Sequence, residues 1–278
     1  MFDLLRMDLR RMAKAKAFWV TLIIFCGVIL LLCITMTITA DAELVTRLAS
    51  WGGTVTINGQ AITDAGQAQA ELIAEAAEAR AELQSMSKPQ FFYSLFCQGG
   101  GLSVFIAILC TLFVCADFSS GFAKNIFSVR RRGPSYLLAK AVTMICTTGV
   151  FILLCTVLCQ VCFAVLRMPL QPGTLPEYAK YLLQAWVAIS AFAIQNVFFC
   201  VWLRSVGLGM VLSFVCAGGV AAMAIESLTR LFGLNLTPFL LFGATATDGL
   251  TLGGLAACVV WSAVYLLLGT VILRRKDI

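Results

Sequence analysis

Six apolar stretches, each about as long as a bilayer is thick, leave this chain few ways to fold. They lie at about 17–40, 94–116, 139–166, 180–203, 206–228 and 251–273. A helix rising 1.5 Å per residue crosses a hydrocarbon layer of roughly 30 Å in about 20 residues, so each stretch is a candidate span. Composition removes the alternative of a soluble core. Sixty per cent of the residues are hydrophobic and 12% are charged, and mean hydropathy is +0.94. A soluble domain carries roughly twice that charged fraction. The expectation is an all-α polytopic membrane protein with six transmembrane helices, forming one transmembrane domain over 1–278.

The first stretch needs one decision. Basic residues precede it, and Ala40-Asp41-Ala42 resembles a signal-peptide cleavage site. Its apolar run of about two dozen residues exceeds the roughly 7–15 of a signal peptide, and we read it as a retained helix.

The basic residues are distributed unevenly. The side holding the N-terminus, the 117–140 segment, Arg204 and the C-terminus carries 14 of the 20 Lys and Arg. The positive-inside rule makes that side cytoplasmic, with both termini inside, as in a multi-pass protein of the cell (inner or cytoplasmic) membrane. The net charge of +6 is therefore read as a topology signal, and no nucleic-acid partner is expected.

The polar segments differ in kind. Residues 1–16 open with FDLLRMDLRRMAKAK, in which Phe2, Leu5, Leu9 and Met12 recur at helical spacing while Arg6, Arg10, Arg11 and Lys14 take other faces. This is an amphipathic interfacial helix that anionic lipid attracts. Residues 41–93 form the large extracytoplasmic loop. Within it, Asp64–Met86 is rich in Ala, Glu and Gln, all good helix formers, with Asp64 as the start and Lys88-Pro89 as the stop. That helix is either a spacer or a substrate-related element. Pro169, Pro172 and Pro176 interrupt the 167–180 loop. The apolar 229–250 segment is external or re-entrant.

Several chemistries are excluded or weakened. There is no histidine, which removes Ser-His hydrolases and HExxH metalloproteases. No G-x-x-x-x-G-K-[ST] loop occurs, so the chain has no P-loop to cradle nucleotide phosphates. All twelve cysteines lie within apolar stretches or at their edges, which argues against a disulfide framework. Cys155, Cys159 and Cys162 share a helical face, either as small apolar packing residues or as metal ligands. No enzyme activity, metal or cofactor is expected in this chain.

The 117–140 segment, DFSSGFAKNIFSVRRRGPSYLLAK, is longer than a simple turn. An acid ends the second span, Ser-Ser-Gly follows, then a short amphipathic stretch, three arginines, a Gly-Pro break, and Lys140 opening the third span. This pattern resembles the ABC-2 type family of ABC transporter permeases. The resemblance rests on Asp117-Phe118-Ser119-Ser120-Gly121, Lys124-Asn125-Ile126, Arg131-Arg132, Tyr136 and Lys140, and on the ending Arg274-Arg275-Lys276-Asp277-Ile278. It implies a permease subunit of an exporter. Such a subunit works with a separate ABC ATPase that holds ATP and Mg, and with a second permease subunit in a homo- or heterodimer. It also implies that residues 117–138 form a cytoplasmic coupling loop. Phe118, Phe122, Ile126 and Phe127 would supply apolar contact there. Lys124, Arg130, Arg131 and Arg132 would face the ATPase or lipid heads, with Asp117, Gly121 and Asn125 completing the motif.

Gln98, Gln160, Gln195 and Asn196 are polar groups at or within spans. They either bond helix to helix or line a translocation path. No charge lies deep in a span, and Glu226 is spaced to pair with Arg230. The small-residue series Gly209, Ser213, Ala217, Ala221 and Gly254, Cys258, Ser262 permits close helix contact, within the chain or between subunits. Competing readings are an ATP-independent secondary transporter and a non-transporting membrane sensor or scaffold that uses the 64–86 helix.

Overall fold

A computed structural model describes residues 2–51, 56–57, 60–61, 65–98, 100–123, 133–233, 239–246 and 251–275. The chain opens with α1 (Phe2–Lys14), turns at Ala15, and enters α2 (Lys16–Thr39). Trp19 Nε1 donates to the Ala13 carbonyl at 2.9 Å, bridging that turn. On α2 the buried residues are Phe18, Leu22, Phe25, Ile29 and Cys33, a stripe at helical spacing. Ile23, Ile24 and Leu31 face outward and are more than half exposed. An apolar helix with an apolar exposed face is solvated by lipid rather than water.

Outside the bundle, Asp41 caps α3 (Ala42–Trp51) by accepting from the Glu43 and Leu44 amides at 3.0 and 3.3 Å. A two-residue hairpin, β1 (Thr56–Ile57) and β2 (Gln60–Ala61), precedes α4 (Ala65–Ser85). The Ala/Glu-rich helix expected over 64–86 is therefore present, although Asp64 itself lies outside the described residues. Helix α4 ends just before Lys88-Pro89, and the pair has a second role. It begins α5 (Lys88–Tyr93), where a proline is tolerated because first-turn amides have no helical acceptor. The 166–174 loop is tied to this junction, since Lys88 N donates to Gln171 O at 3.1 Å and Gln171 N to Met86 O at 3.0 Å.

The second apolar stretch is not one continuous helix. A π turn (Ser94–Gln98) leads to Gly100, which has φ 71°, and α6 runs from Gly101 to Ser119. The reason is a close approach. A Cβ on Gly100 would sit 2.4 Å from the carbonyl oxygen of Ala217, so only glycine allows the backbones to meet here.

Helix α7 spans Gly133–Val165 and α8 spans Leu175–Leu203, the latter opened by a Thr174/Glu177 capping box. The Gly133-Pro134 pair thus opens α7 rather than breaking the chain. The fifth stretch is broken into α9 (Val206–Ala217) and α10 (Val220–Arg230), bent by 56° at Gly218-Gly219. Phe242 of the short α11 (Leu241–Ala246) packs beneath this break. Helix α12 (Leu252–Arg275) closes the bundle.

The core is organised around α8. Every residue from Ala188 to Val201 is buried, because α6, α7, α9, α11 and α12 all pack against this helix. The small-residue series on α9 serves this packing. Gly209 lies against Thr111, Cys115 and Cys200, and Ser213 and Ala217 are buried. Among the described residues, five helices are long and apolar enough to cross a membrane, or six if the bent α9–α10 pair crosses as one. The protein is an all-α, multi-pass membrane protein.

Candidate functional site: a buried ion cluster

Three segments far apart in sequence converge where α1 meets the ends of α6 and α7. Helix α1 contributes Asp8 and Arg11, which share a face at i, i+3. Helix α6 contributes Asp117 from its last turn. Helix α7 contributes Tyr136 and Lys140, again on one face at i, i+4. The Lys140 ammonium lies 2.8 Å from Asp8 Oδ1 and 2.6 Å from Asp117 Oδ2. Arg11 Nη2 donates to Asp117 Oδ1 at 2.9 Å, and the Tyr136 hydroxyl donates to Asp117 Oδ2 at 3.1 Å. Aromatic faces complete the shell. Lys140 sits 4.2 Å over the Phe113 ring, and Arg11 sits 4.1 Å over Phe122.

The electrostatics depend on burial. Asp117 and Lys140 have no exposed surface and Asp8 almost none, whereas Arg11 is about one-third exposed. Two carboxylates against two cations make the group neutral. Such burial is tolerable only when every charge is matched, because an unpaired buried ion costs several kcal/mol. Burial pushes the Asp8 carboxyl above its ordinary range, against the opposing pull of Lys140.

The coupling candidates are placed unequally. Asp117 is the centre of the cluster. Phe118 is half-buried, edge-on to Tyr136 at 6.3 Å, with the Arg204 guanidinium 5.6 Å above its ring. Gly121 has φ 73°, a conformation that lets the chain leave α6 at a sharp angle. Phe122 lies under Arg11. Lys124, Asn125, Ile126, Phe127, Arg130, Arg131 and Arg132 lie outside the described residues.

Asp117 and Lys140 belong by sequence to the polar segment between two spans, yet both are withdrawn completely into protein. They are buried because each finds an opposite charge on another helix. Asp8 was unassigned by sequence reasoning, and Arg11 was read only as part of the basic side of the interfacial helix. The available signal was a single acid interrupting a basic amphipathic helix, three residues before an arginine.

The translocation-path candidates do not form one site. Gln195 Nε2 donates to Tyr265 OH at 3.0 Å, joining α8 to α12, while its Oε1 has no protein partner. It lines a cavity of about 190 Å³ with Phe192, Phe199, Trp261 and Tyr265. Asn196 is buried beside it with Nδ2 unpaired. Gln98 and Gln160 are half-buried on other segments, in the π turn and on α7, and neither lines this cavity. Glu226 and Arg230 do pair, at 2.6 Å.

Cys155, Cys159 and Cys162 are free thiols buried in the main core, with Cys26 and Cys33 of α2 near them. Among the described residues no group of three or more His, Cys, Asp or Glu is placed to hold a metal ion. No family model matches the chain, and no curated protein matches its sequence.

Proposed function

We propose that this chain is the membrane-spanning permease subunit of an ABC-2 type exporter, driven by ATP hydrolysed in a separate ATPase subunit. The observation that carries the reading is the buried cluster. It ties the interfacial helix to the ends of α6 and α7, the two helices that the proposed coupling loop joins in sequence. A force applied to that loop is transmitted to all three elements, because none can move without exposing a charge. The motif resemblance at 117–140 supplies the identity of the actuator. On this reading the bent α9–α10 pair is the fifth of six spans. Both termini face the cytoplasm of the cell membrane, and a second permease subunit completes the pathway. The Gln195 cavity is the candidate point of substrate contact.

A proton-coupled carrier is the second reading. It is favoured by the presence of a buried carboxyl, Asp8, whose protonation is eased by its surroundings. Two facts weigh against it. The cluster is internally neutral, and it sits at one end of the helices rather than along them.

The deciding experiment is affinity purification from native membranes, with identification of any bound ATPase, followed by transport assays in vesicles. The coupling reading expects an ATPase to co-purify. The charge-neutral pair Asp117→Asn with Lys140→Gln is expected to stay folded in the membrane while losing coupled transport. Absence of any ATPase, or full ATP-driven transport in that variant, would overturn it. Transport driven by a proton gradient alone would establish the second reading.

A further inference from the structure

We propose that the cleft between α1 and the end of α6 binds one anionic phospholipid, with its phosphate on the basic stripe of α1 and an acyl chain over the floor of α6. The cleft encloses about 860 Å³, within the range of pockets that hold small organic ligands. Its wall carries Arg6, Arg10, Arg11, Lys14 and Lys16 against a single acid, Asp3. Its floor is apolar, formed by Leu109, Leu112 and Phe113, with Met7 at the side.

Three observations select the occupant. First, Arg6, Arg10 and Lys14 recur every four residues, so their head groups align along one face of α1. Among the described residues no carboxylate pairs with any of them. By contrast, Arg47 and Arg230 each pair with a glutamate four residues earlier. The stripe is an uncompensated cationic surface. Second, Arg11 also lines the cleft with its side chain about one-third exposed, so its cation adds to the stripe while Nη2 holds Asp117 and Nη1 stands 3.7 Å from Asp8 Oδ1. Third, the charges stand over an apolar floor next to Lys16 and Ala17, where the first span begins. A free phosphate would use only the wall. An anionic lipid uses both, and that position places it at headgroup depth. The inference does not depend on the ATPase reading.

The test uses the full chain, purified and loaded from mixed micelles of phosphatidylglycerol and phosphatidylcholine, with retained lipid read by native mass spectrometry. The expected result is one phosphatidylglycerol retained per chain in preference to phosphatidylcholine. The triple variant Arg6→Gln, Arg10→Gln, Lys14→Gln is expected to weaken retention on the order of a hundredfold. Leu112→Trp keeps every charge and fills the floor, and is expected to weaken it about tenfold. Ala116→Leu, at an exposed position of the same floor, repeats that test if Leu112→Trp fails to fold. Millimolar inorganic phosphate is expected not to displace the lipid. Equal retention by the triple variant would overturn the site. So would unaltered retention in the floor variants, which would mean surface attraction alone. Displacement by inorganic phosphate would reassign the cleft to a free anion and overturn the lipid proposal.

Discussion

The polar groups at the α1 end of the bundle and those at the α8–α12 contact follow opposite rules. Both Asp117 carboxylate oxygens and Asp8 Oδ1 meet a cation or a hydroxyl, and formal charge is present but balanced. Around Gln195 there is no formal charge, yet Gln195 Oε1 and Asn196 Nδ2 are left without protein partners. A cluster whose buried charges are balanced resists displacement even with Arg11 Nη1 lacking a hydrogen-bond partner, since any movement exposes an ion. An unsaturated amide beside a cavity accepts a new partner at little penalty. The first region is built to hold and the second to receive, and each distinction is open to direct test.

The largest effect is expected from Lys140→Met. It strands two buried carboxylates with Arg11 as their sole cation, and destabilisation of about 3–5 kcal/mol is expected, read as a fall in melting temperature in detergent. A near-normal melting temperature would break the comparison. Tyr136→Phe removes one hydrogen bond to a charged acceptor while keeping the ring against Phe118, and a loss of about 1.5–3 kcal/mol is expected.

Asp8→Asn sharpens the comparison through pH. The folded protein holds the Asp8 carboxyl above its ordinary pKa, so its contribution to stability is fully present below the unfolded value. That contribution is lost as pH rises through the folded one. The melting temperature of Asp8→Asn relative to the parent should therefore improve as pH rises from acid to neutral, and a decline over the same range would contradict the assignment. The smallest effect belongs to the other region. Gln195→Leu gives up one hydrogen bond but also removes an unpaired oxygen, and a change within about 1 kcal/mol is expected. Loss of transport at unaltered stability is the accompanying outcome on the proposed function.

Hydropathy made the spans legible, because membrane solvation acts on about 20 residues at once and leaves a composition signal. The 64–86 helix was legible for a similar reason, its Ala and Glu content. The break at Gly218-Gly219 was not, since a hydropathy window is blind to backbone conformation; the run Gly99-Gly100-Gly101 does signal a kink or a close helix contact, but not its partner, because Gly100 and Ala217 are distant in sequence. Proline signals were only half legible: the helix before Lys88-Pro89 does end at Ser85, but Pro89 and Pro134 also each open the helix that follows. Most of the candidate site was hidden for the same reason as the glycine contact. Asp117 was legible from its motif, whereas the Arg11–Asp117 and Asp8–Lys140 bonds span 106 and 132 residues, and counting charges by side assigns each to a face without revealing its partner.

The 132-residue separation between Asp8 and Lys140 has a consequence for synthesis. A chain growing at about 5–20 residues per second carries Asp8 for on the order of ten seconds before Lys140 is made. Until then Asp117, when it emerges, has only Arg11 available, and the interfacial helix has no completed anchor. Closing the cluster is thus an assembly checkpoint. Chains truncated before α7 should keep α1 accessible to protease, and chains extended past Lys140 should protect it.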